Sequence, residues 1–195
     1  MNVVLVNYGA GNIKSLQFAL ERLGITGILS SDATEILEAD KVIFPGVGEA
    51  SSALSKLKES GLDVVLPKLK QPVLGICLGM QLMCTHTEEG NTPGLGIFDV
   101  AVKRFDNDLK VPQMGWNTVL KTKSPLFDNL DAESYMYSVH SYYAGLCKDT
   151  IAQTNYGIAY SCALQKDNFY GVQFHPEKSS KAGSQLLSNF LALTI

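Results

Sequence analysis

Hydrophobic positions in the first half of the chain alternate between short continuous runs and runs with helical spacing. Val3–Val6 is a continuous apolar run rich in β-branched residues, which is typical of a buried parallel strand. From Asn12 to Leu23 the apolar residues recur at helical spacing, which predicts a helix, and Gly24 follows as its stop. The same alternation predicts strands at 28–29, 42–44 and 72–76, and helices at 50–57, 62–69 and 78–84. This order predicts an α/β fold with a mostly parallel sheet and helices on both faces.

The second half has a different pattern, with short apolar stretches separated by turn residues. Strands are predicted at 97–105, 117–120, 135–143, 151–154, 158–164 and 169–174, and a last helix at 181–193. We interpret these strands as an antiparallel extension of the sheet. No linker rich in Pro, Gly or Ser separates the two halves, so residues 1–195 are expected to form a single domain.

Composition and charge narrow the classes of function. The chain has 195 residues, of which 46 % are hydrophobic, and this allows a sizeable core. A net charge of −3 excludes a strongly basic nucleic-acid binder but not an enzyme for a small anionic substrate. No apolar run approaches the ~18 residues of a membrane span, and the first residues lack the pattern of a signal peptide. A cytoplasmic location is therefore expected.

One cysteine lies in a turn that is typical of a catalytic nucleophile. Gly75-Ile76-Cys77-Leu78-Gly79 follows a predicted strand and opens a predicted helix, as in a nucleophile elbow with cysteine in place of serine. The two glycines leave room for so sharp a turn, and the helix N-terminus favours a thiolate. The backbone NH of Leu78 is placed to donate to an oxyanion. The alternative is a buried structural cysteine, which is what most free cysteines are.

The other cysteines are predicted to be structural. Cys84, Cys147 and Cys162 lack a glycine-flanked turn, and no two cysteines form a C-x-x-C pair. A zinc ribbon is therefore excluded, and no metal site is expected. In a reducing compartment all four cysteines stay thiols.

A thiol nucleophile needs a base, and the sequence offers three histidines. His175-Pro176-Glu177 follows an apolar strand pattern, and Pro176 keeps His175 extended. Residues two apart on an extended segment face the same side, so Glu177 can orient His175 towards the cysteine. The alternative is a surface turn at a strand end. His140 ranks second as a base.

Two glycine-rich turns follow predicted strands. Gly9 and Gly11 come after the first strand, but Lys14 stands where a dinucleotide fingerprint has its third glycine, so no dinucleotide cofactor is expected. Pro45-Gly46-Val47-Gly48 ends the third strand at the carboxyl edge, where open α/β sheets carry their sites. Its backbone NH groups are candidates to complete an oxyanion hole.

The elbow together with His175-Pro176-Glu177 resembles the class I (triad) glutamine amidotransferases. Within that class, further stretches are similar to the glutaminase subunits of imidazole glycerol phosphate synthases, and the similarity covers essentially the whole chain. One departure is Gln113, where that family often has histidine; the position lies outside the triad, so the departure bears on the interface with a partner. The stretches are Tyr8-Gly9-Ala10-Gly11-Asn12, Pro45-Gly46-Val47-Gly48, Val111-Pro112-Gln113-Met114-Gly115-Trp116-Asn117, Val139-His140-Ser141-Tyr142 and His175-Pro176-Glu177-Lys178-Ser179-Ser180.

The resemblance implies a flavodoxin-like sheet and a role for each matching residue. Cys77 would attack the glutamine side chain, His175 would transfer protons and Glu177 would hold His175. Val47 and Leu78 would give NH groups to the oxyanion. Glutamine would be bound by Gly48, Gln81, Glu89, Ser141 and Tyr142, and a partner by Asn12, Met114, Trp116, Tyr137 and Lys178.

The partner implied by the resemblance is a (β/α)8-barrel cyclase in a heterodimer. It would receive ammonia and make imidazole glycerol phosphate and an aminoimidazole carboxamide nucleotide, a step of histidine biosynthesis. No cofactor, nucleic acid or membrane is implied. Three alternatives stay open: a paralogous amidotransferase that supplies a surface-sugar amidination synthase, a stand-alone cysteine hydrolase, and a non-catalytic binding module of the same fold.

Overall fold

A computed structural model of the protein describes residues 1–9, 13–106 and 108–194. The strands are β1 Val3–Val6, β2 Gly27–Ser30, β3 Lys41–Gly46, β4 Val73–Cys77, β5 His86–Thr87, β6 Thr92–Pro93, β7 Ala101–Arg104, β8 Gln113–Thr118, β9 Tyr135–His140, β10 Tyr142–Ala144, β11 Thr150–Tyr156, β12 Ile158–Lys166 and β13 Phe169–Val172. The helices are α1 Ile13–Arg22, α2 Ala33–Leu37, α3 Ala50–Glu59, α4 Leu62–Val65, α5 Leu78–Met83 and α6 Ser180–Ala192. Within the described ranges, none of these helices is both long and apolar enough to cross a membrane.

The parallel half of the main sheet has the strand order β2-β1-β3-β4-β13. This is the order of flavodoxin-like folds, in which the chain changes direction across the sheet between β1 and β3. The sheet continues with antiparallel pairing from β13 through β12 and β10 to β7, and β11 pairs antiparallel with β12. The short β5 pairs parallel with β7, and β6 pairs antiparallel with β5. The expected α/β fold with a mostly parallel centre is confirmed.

Helices cover both faces of the parallel strands, as the continuous apolar runs predict. Val3 and Leu5 of β1 pack with α1 and α6 on one face. Val4 and Val6 point to the other face, where they pack with α2, α3 and α4. All four residues of β1 are fully buried, because a strand covered on both sides has no face left for solvent.

The second half differs from its predicted pattern in three places. The stretch 169–174 was expected in the antiparallel extension, but β13 pairs parallel with β4 inside the central sheet. The single strand predicted at 135–143 is two strands, β9 and β10, which separate at Ser141 and enter different sheets. The strand predicted at 117–120 overlaps only the end of β8, which begins earlier at Gln113 and pairs with β9 in a separate two-stranded sheet. Each difference concerns pairing between distant segments, which local periodicity does not encode.

Candidate active site

The carboxyl edge of the sheet brings the three predicted site segments together. Gly46 at the end of β3 is in register with Cys77 at the end of β4. β13 lies on the other side of β4, with Val172 in register with Ile76, so the chain leaves β13 towards His175 beside the cysteine. The turn 45–48, the elbow and the histidine segment therefore meet at one edge.

The elbow at Cys77 has the geometry that its glycines predict. Cys77 lies between β4 and α5 with φ 54° and ψ −111°, a conformation that non-glycine residues rarely adopt. A Cβ on Gly79 would fall onto the carbonyl oxygen of Phe44, and one on Gly75 would lie 2.9 Å from the backbone nitrogen of Met80. Both glycines are therefore needed for close approach, so the steric basis of the prediction is confirmed.

His175 and Glu177 form a buried pair beside Cys77. His175 Nδ1 lies 2.9 Å from a carboxylate oxygen of Glu177, and the two side chains are only 2 % and 5 % exposed. The predicted extended segment is wrong in part, because Pro176–Lys178 form a 3-10 turn after an extended His175. The contact arises since this turn brings Glu177 back to the imidazole.

The electrostatics of His175 favour its protonated form. Burial by itself lowers the pKa of His175, but the neighbouring Cys77 sulfur and Glu177 carboxylate raise it to about 10. His175 Nε2 is buried, and no group in the described part of the chain meets the distance and angle criteria for a hydrogen bond to it. This nitrogen therefore remains available to exchange a proton with the cysteine or with a leaving group.

His140, the second candidate base, is occupied at both ring nitrogens. Its Nδ1 lies 2.7 Å from the carbonyl oxygen of Tyr142 and its Nε2 lies 3.2 Å from the Tyr160 hydroxyl. Burial, together with the nearby His175, lowers its pKa to about 4. His140 is therefore a neutral structural residue of the site wall, and the geometry favours His175 as the base.

A cavity of about 300 Å³ opens above the cysteine. Glu89 lines it and accepts a hydrogen bond from the backbone nitrogen of Ala50 at 3.0 Å, while burial raises the pKa of its carboxyl group. All the residues predicted for the oxyanion hole and for glutamine binding line this cavity. Its lining comprises Val47, Gly48, Cys77, Leu78, Gln81, Glu89, Pro112, Val139, His140, Ser141, Tyr142 and His175.

The sequence analysis missed one polar residue that contacts the cysteine. Gln173 is fully buried, and its side-chain nitrogen lies 3.7 Å from Cys77 Sγ. Its oxygen accepts a hydrogen bond from Gln81 at 2.9 Å. A polar residue inside the apolar stretch 169–174, two positions before His175, was the available signal, since buried amides need partners.

Tyr8 was also missed, although it begins a glycine-rich stretch that the sequence analysis singled out. Its buried hydroxyl donates a 2.9 Å hydrogen bond to the carbonyl oxygen of Pro45, and burial raises its pKa. Gly46 lies against it, because a Cβ there would be 2.8 Å from the Tyr8 hydroxyl and 2.6 Å from the Gly79 nitrogen. Tyr8 and Gly46 thus hold the turn 45–48 against the elbow.

We expect Gly46→Ala to destabilise this junction by about 1–3 kcal/mol, because the new methyl group meets backbone atoms that have little room to move. Chemical denaturation measures the free energy of unfolding. Gly145→Ala is the matched control, since a Cβ there meets no atom within 4 Å and should change stability by less than about 0.5 kcal/mol. Equal stability of the two variants would contradict the close packing of the two turns.

Most residues predicted to face a partner lie together on one exposed surface. Met114 and Trp116 project from β8 and are 65 % and 51 % exposed, and the indole packs edge-on against Tyr137 of β9. Trp116 and the exposed Lys178 line a groove of about 700 Å³. Asn12, also predicted for this surface, lies outside the described residues. We call the surface formed by Met114, Trp116, Tyr137 and Lys178 the β8–β9 face.

The fold and the cysteine site together define a class of enzyme. Residues 4–193 match the family Glutamine amidotransferase class-I, to which the chain belongs. More particularly, it is 54 % identical to the imidazole glycerol phosphate synthase subunit HisH of Bacteroides thetaiotaomicron, over 99 % of this chain and 100 % of that protein. The protein of the same name from Pectobacterium atrosepticum is 50 % identical, with the same coverage.

Solved structures agree on the fold. A protein from Thermoplasma acidophilum described as a putative GMP synthase component superposes with a TM-score of 0.75 at 21 % identity, covering 98 % of this chain and 92 % of that one. A crystal structure described as a glutamine amidotransferase superposes with a TM-score of 0.72 at 20 % identity, covering 97 % of both chains. The flavodoxin-like, class I amidotransferase-like fold is thereby confirmed.

Proposed function

We propose that this chain is the glutaminase subunit of an imidazole glycerol phosphate synthase and supplies ammonia for a step of histidine biosynthesis. The observation that carries the proposal is the strained Cys77 beside the buried His175–Glu177 pair, whose members are 2.9 Å apart, at the floor of a cavity. The relatives that share about half of its residues support the choice of pathway.

In the first half of the reaction, Cys77 forms a thioester with glutamine. Its sulfur attacks the side-chain amide carbon while His175 holds the proton that the thiol has lost. The carbonyl oxygen becomes an oxyanion, which the NH groups of Leu78 and Val47 stabilise. His175 Nε2 then gives its proton to the departing nitrogen, and the carbon–nitrogen bond breaks to release ammonia.

In the second half, water cleaves the thioester. His175, now neutral, accepts a proton from water as the oxygen attacks the thioester carbon. The carbon–sulfur bond breaks, glutamate leaves, and the proton either returns to the sulfur or stays on His175. Glu177 holds the imidazole in one orientation through both halves and stabilises its charged form.

Glutamine binding is assigned to the cavity wall. Glu89 offers a carboxylate to the α-ammonium group of the substrate, because it lines the cavity and has one oxygen outside the hydrogen bond to Ala50. Ser141 and Tyr142 line the cavity at the point where β9 ends and β10 begins. Gly48 and Gln81 complete the residues proposed to bind glutamine.

The proposed partner is a (β/α)8-barrel cyclase that binds the β8–β9 face. This face combines exposed aromatic and thioether side chains with one cation, a composition typical of interface centres. Tyr137 joins the face to the triad segment, because its backbone carbonyl oxygen accepts a 2.8 Å hydrogen bond from the backbone nitrogen of His175. Its own nitrogen donates to the Ser179 hydroxyl at 2.9 Å. Partner binding can therefore shift the triad segment directly.

We expect the isolated chain to hydrolyse glutamine about 100- to 1,000-fold more slowly than the complex with cyclase and its nucleotide substrate. The reason is that Gly46 lets the Gly46–Val47 peptide take two orientations, of which only one directs the Val47 NH to the oxyanion, and one oxyanion donor is worth that factor. The rate of glutamine hydrolysis is measured as steady-state glutamate release for the chain by itself, for the chain with cyclase, and for the chain with cyclase plus nucleotide.

Three outcomes separate the proposal from its alternatives. Equal turnover in all three conditions contradicts the gating, although it leaves the triad intact. Absence of glutamine hydrolysis in the complete complex contradicts the proposed function and favours a binding module. Activation by a sugar-amidinating synthase but not by the histidine-pathway cyclase favours the paralogous pathway.

A further inference from the structure

A line of polar side chains lies behind the cavity wall, outside the triad. The Tyr160 hydroxyl is its centre, at 3.0 Å from the side-chain oxygen of Gln113 and 3.2 Å from His140 Nε2. The Gln113 amide nitrogen is 2.7 Å from the side-chain oxygen of Asn117. At the other end, His140 Nδ1 is 2.7 Å from the carbonyl oxygen of Tyr142. These contacts form one connected chain of hydrogen bonds.

This line is buried among aromatic rings. Gln113 and Tyr160 are at most 1 % exposed and His140 is 6 % exposed. Phe105 packs against both His140 and Tyr160 at ring distances of 5.5 Å. Leaving a polar group unsatisfied in such surroundings costs about 1–3 kcal/mol, so each atom in the line depends on its neighbour. Gln113 therefore lies in the interior, and its departure from the family pattern concerns this interior line rather than the interface itself.

The protons in the line have one consistent arrangement when His140 is neutral. Since a carbonyl oxygen only accepts, Nδ1 of His140 carries the ring proton and Nε2 accepts one from Tyr160. The Tyr160 oxygen then needs a donor, which Gln113 supplies when its amide is turned by 180° so that nitrogen and oxygen exchange places. Turning the Asn117 amide likewise keeps their mutual hydrogen bond. Burial and the proximity of His175 lower the pKa of His140, which supports the neutral ring.

The line ends on the segment proposed to bind glutamine. The Tyr142 carbonyl oxygen accepts both from His140 and from the Gln81 amide, the latter at 3.0 Å. The Gln81 amide also donates to the side-chain oxygen of Gln173, whose amide nitrogen contacts the Cys77 sulfur. His140 precedes Ser141, so its ring fixes the point where β9 ends and β10 begins. The line thus connects β8 with the cavity wall.

We propose that Tyr160, oriented by Gln113, is a positioning residue that acts through His140 to hold the Ser141–Tyr142 segment in its glutamine-binding geometry. The inference rests on the proposed glutaminase function. Tyr160 touches neither Cys77 nor His175 within the described contacts, so its loss should change the affinity for glutamine and leave the chemical step intact.

The first test compares two tyrosines of the same aromatic cluster in the complex with cyclase and nucleotide. Tyr160→Phe removes the hydroxyl from the line and should raise KM for glutamine about five- to tenfold, the worth of one buried hydrogen bond, with kcat within about twofold of wild type. Tyr156→Phe is the matched control, because its ring also packs on Phe105 but its hydroxyl donates to the exposed backbone of Lys110. Its KM should equal that of the wild type.

The second test uses the dual donor and acceptor character of Gln113. Gln113→Met has no donor and no strong acceptor at its end, so it leaves the Tyr160 hydroxyl without its orienting partner and should raise KM as much as Tyr160→Phe does. Gln113→His keeps a ring NH for Tyr160 and should keep KM within about twofold of wild type. Nitrogen NMR shifts of the His140 ring should report the Nδ1–H tautomer in the wild type and in Gln113→His.

The outcomes that overturn the inference are distinct from failure of the proposed function. An active wild-type complex in which Tyr160→Phe and Tyr156→Phe share one KM overturns the positioning role. The positioning role is also overturned if Tyr160→Phe lowers kcat in proportion to its loss of thermal stability while KM stays constant. Equal KM values for the two Gln113 variants overturn it as well. An inactive wild-type complex overturns the proposed function and, with it, the substrate role of Tyr160.

Discussion

A Cys77→Ser variant of the complex is expected to hydrolyse glutamine at least about 1,000-fold more slowly than the wild type, because a serine hydroxyl is a far weaker nucleophile than a thiol beside His175. Serine is no larger than cysteine and can keep the backbone conformation of the elbow, so the fold should be retained. Steady-state glutamate release and thermal unfolding measure the two expectations. Near-normal turnover would contradict the assignment of Cys77 as nucleophile.

Covalent labelling by an electrophilic glutamine analogue provides an independent check on the same residue. Cys84 and Cys162 are buried, and burial raises the pKa of both thiols, that of Cys162 to about 12, so neither is reactive at neutral pH. The partly exposed Cys147 is the competing thiol, and Cys147→Ala is the control. We expect labelling of Cys77 at the same rate in wild type and control. A label that disappears in Cys147→Ala would show that the analogue reacts with Cys147 and not with Cys77.

His175→Ala should lower kcat at least about 1,000-fold, since it removes the proposed base, which would take the cysteine proton and give it to the departing nitrogen. Glu177→Gln should cost about ten- to a hundredfold less, because the base remains and loses only its orienting carboxylate. Glutaminase kinetics of the two variants in the complex measure this order. A loss on Glu177→Gln that equals the loss on His175→Ala would contradict the division of roles.

The pH profile separates loss of orientation from general damage. Glu177 is one of the groups that raise the pKa of His175 to about 10, so Glu177→Gln lowers that pKa. The alkaline limb of kcat should then move to lower pH, because the imidazolium that would protonate the departing nitrogen loses its proton at a lower pH. His140→Ala is the comparison, and we expect it to raise KM rather than to remove turnover; a larger kcat loss there than on His175→Ala would identify His140 as the base.

The sequence predicted those parts of the molecule whose cause is local. The strand Val3–Val6 and the elbow around Cys77 follow from apolar runs and from glycine sterics within a few residues, and both were found. The pairing of His175 with Glu177 is also local, although a 3-10 turn rather than an extended strand produces it. The elbow, the His175–Glu177 pair and the strands of the parallel centre could therefore be predicted from neighbouring residues.

Pairing between distant segments could not be predicted in the same way. The pattern of Phe169–Val172 is equally compatible with an antiparallel neighbour, and only the tertiary structure inserts it parallel to β4, which carries His175 to the cysteine. Tyr160 and Gln113 are 47 positions apart, and no local pattern relates them. Their contact exists because β12 and the separate β8–β9 sheet meet behind the cavity.

By itself the sequence determined the class of fold and predicted a nucleophile and its base, because turn sterics and hydrophobic periodicity act over neighbouring residues. The tertiary structure alone decided that Gln173 contacts the sulfur, that His140 is occupied at both nitrogens, and that Tyr8 holds the Pro45 carbonyl. Those facts depend on which buried polar groups find each other once the sheet has closed. Burial forces each of them to take a partner, but the register of remote strands selects which partner it is.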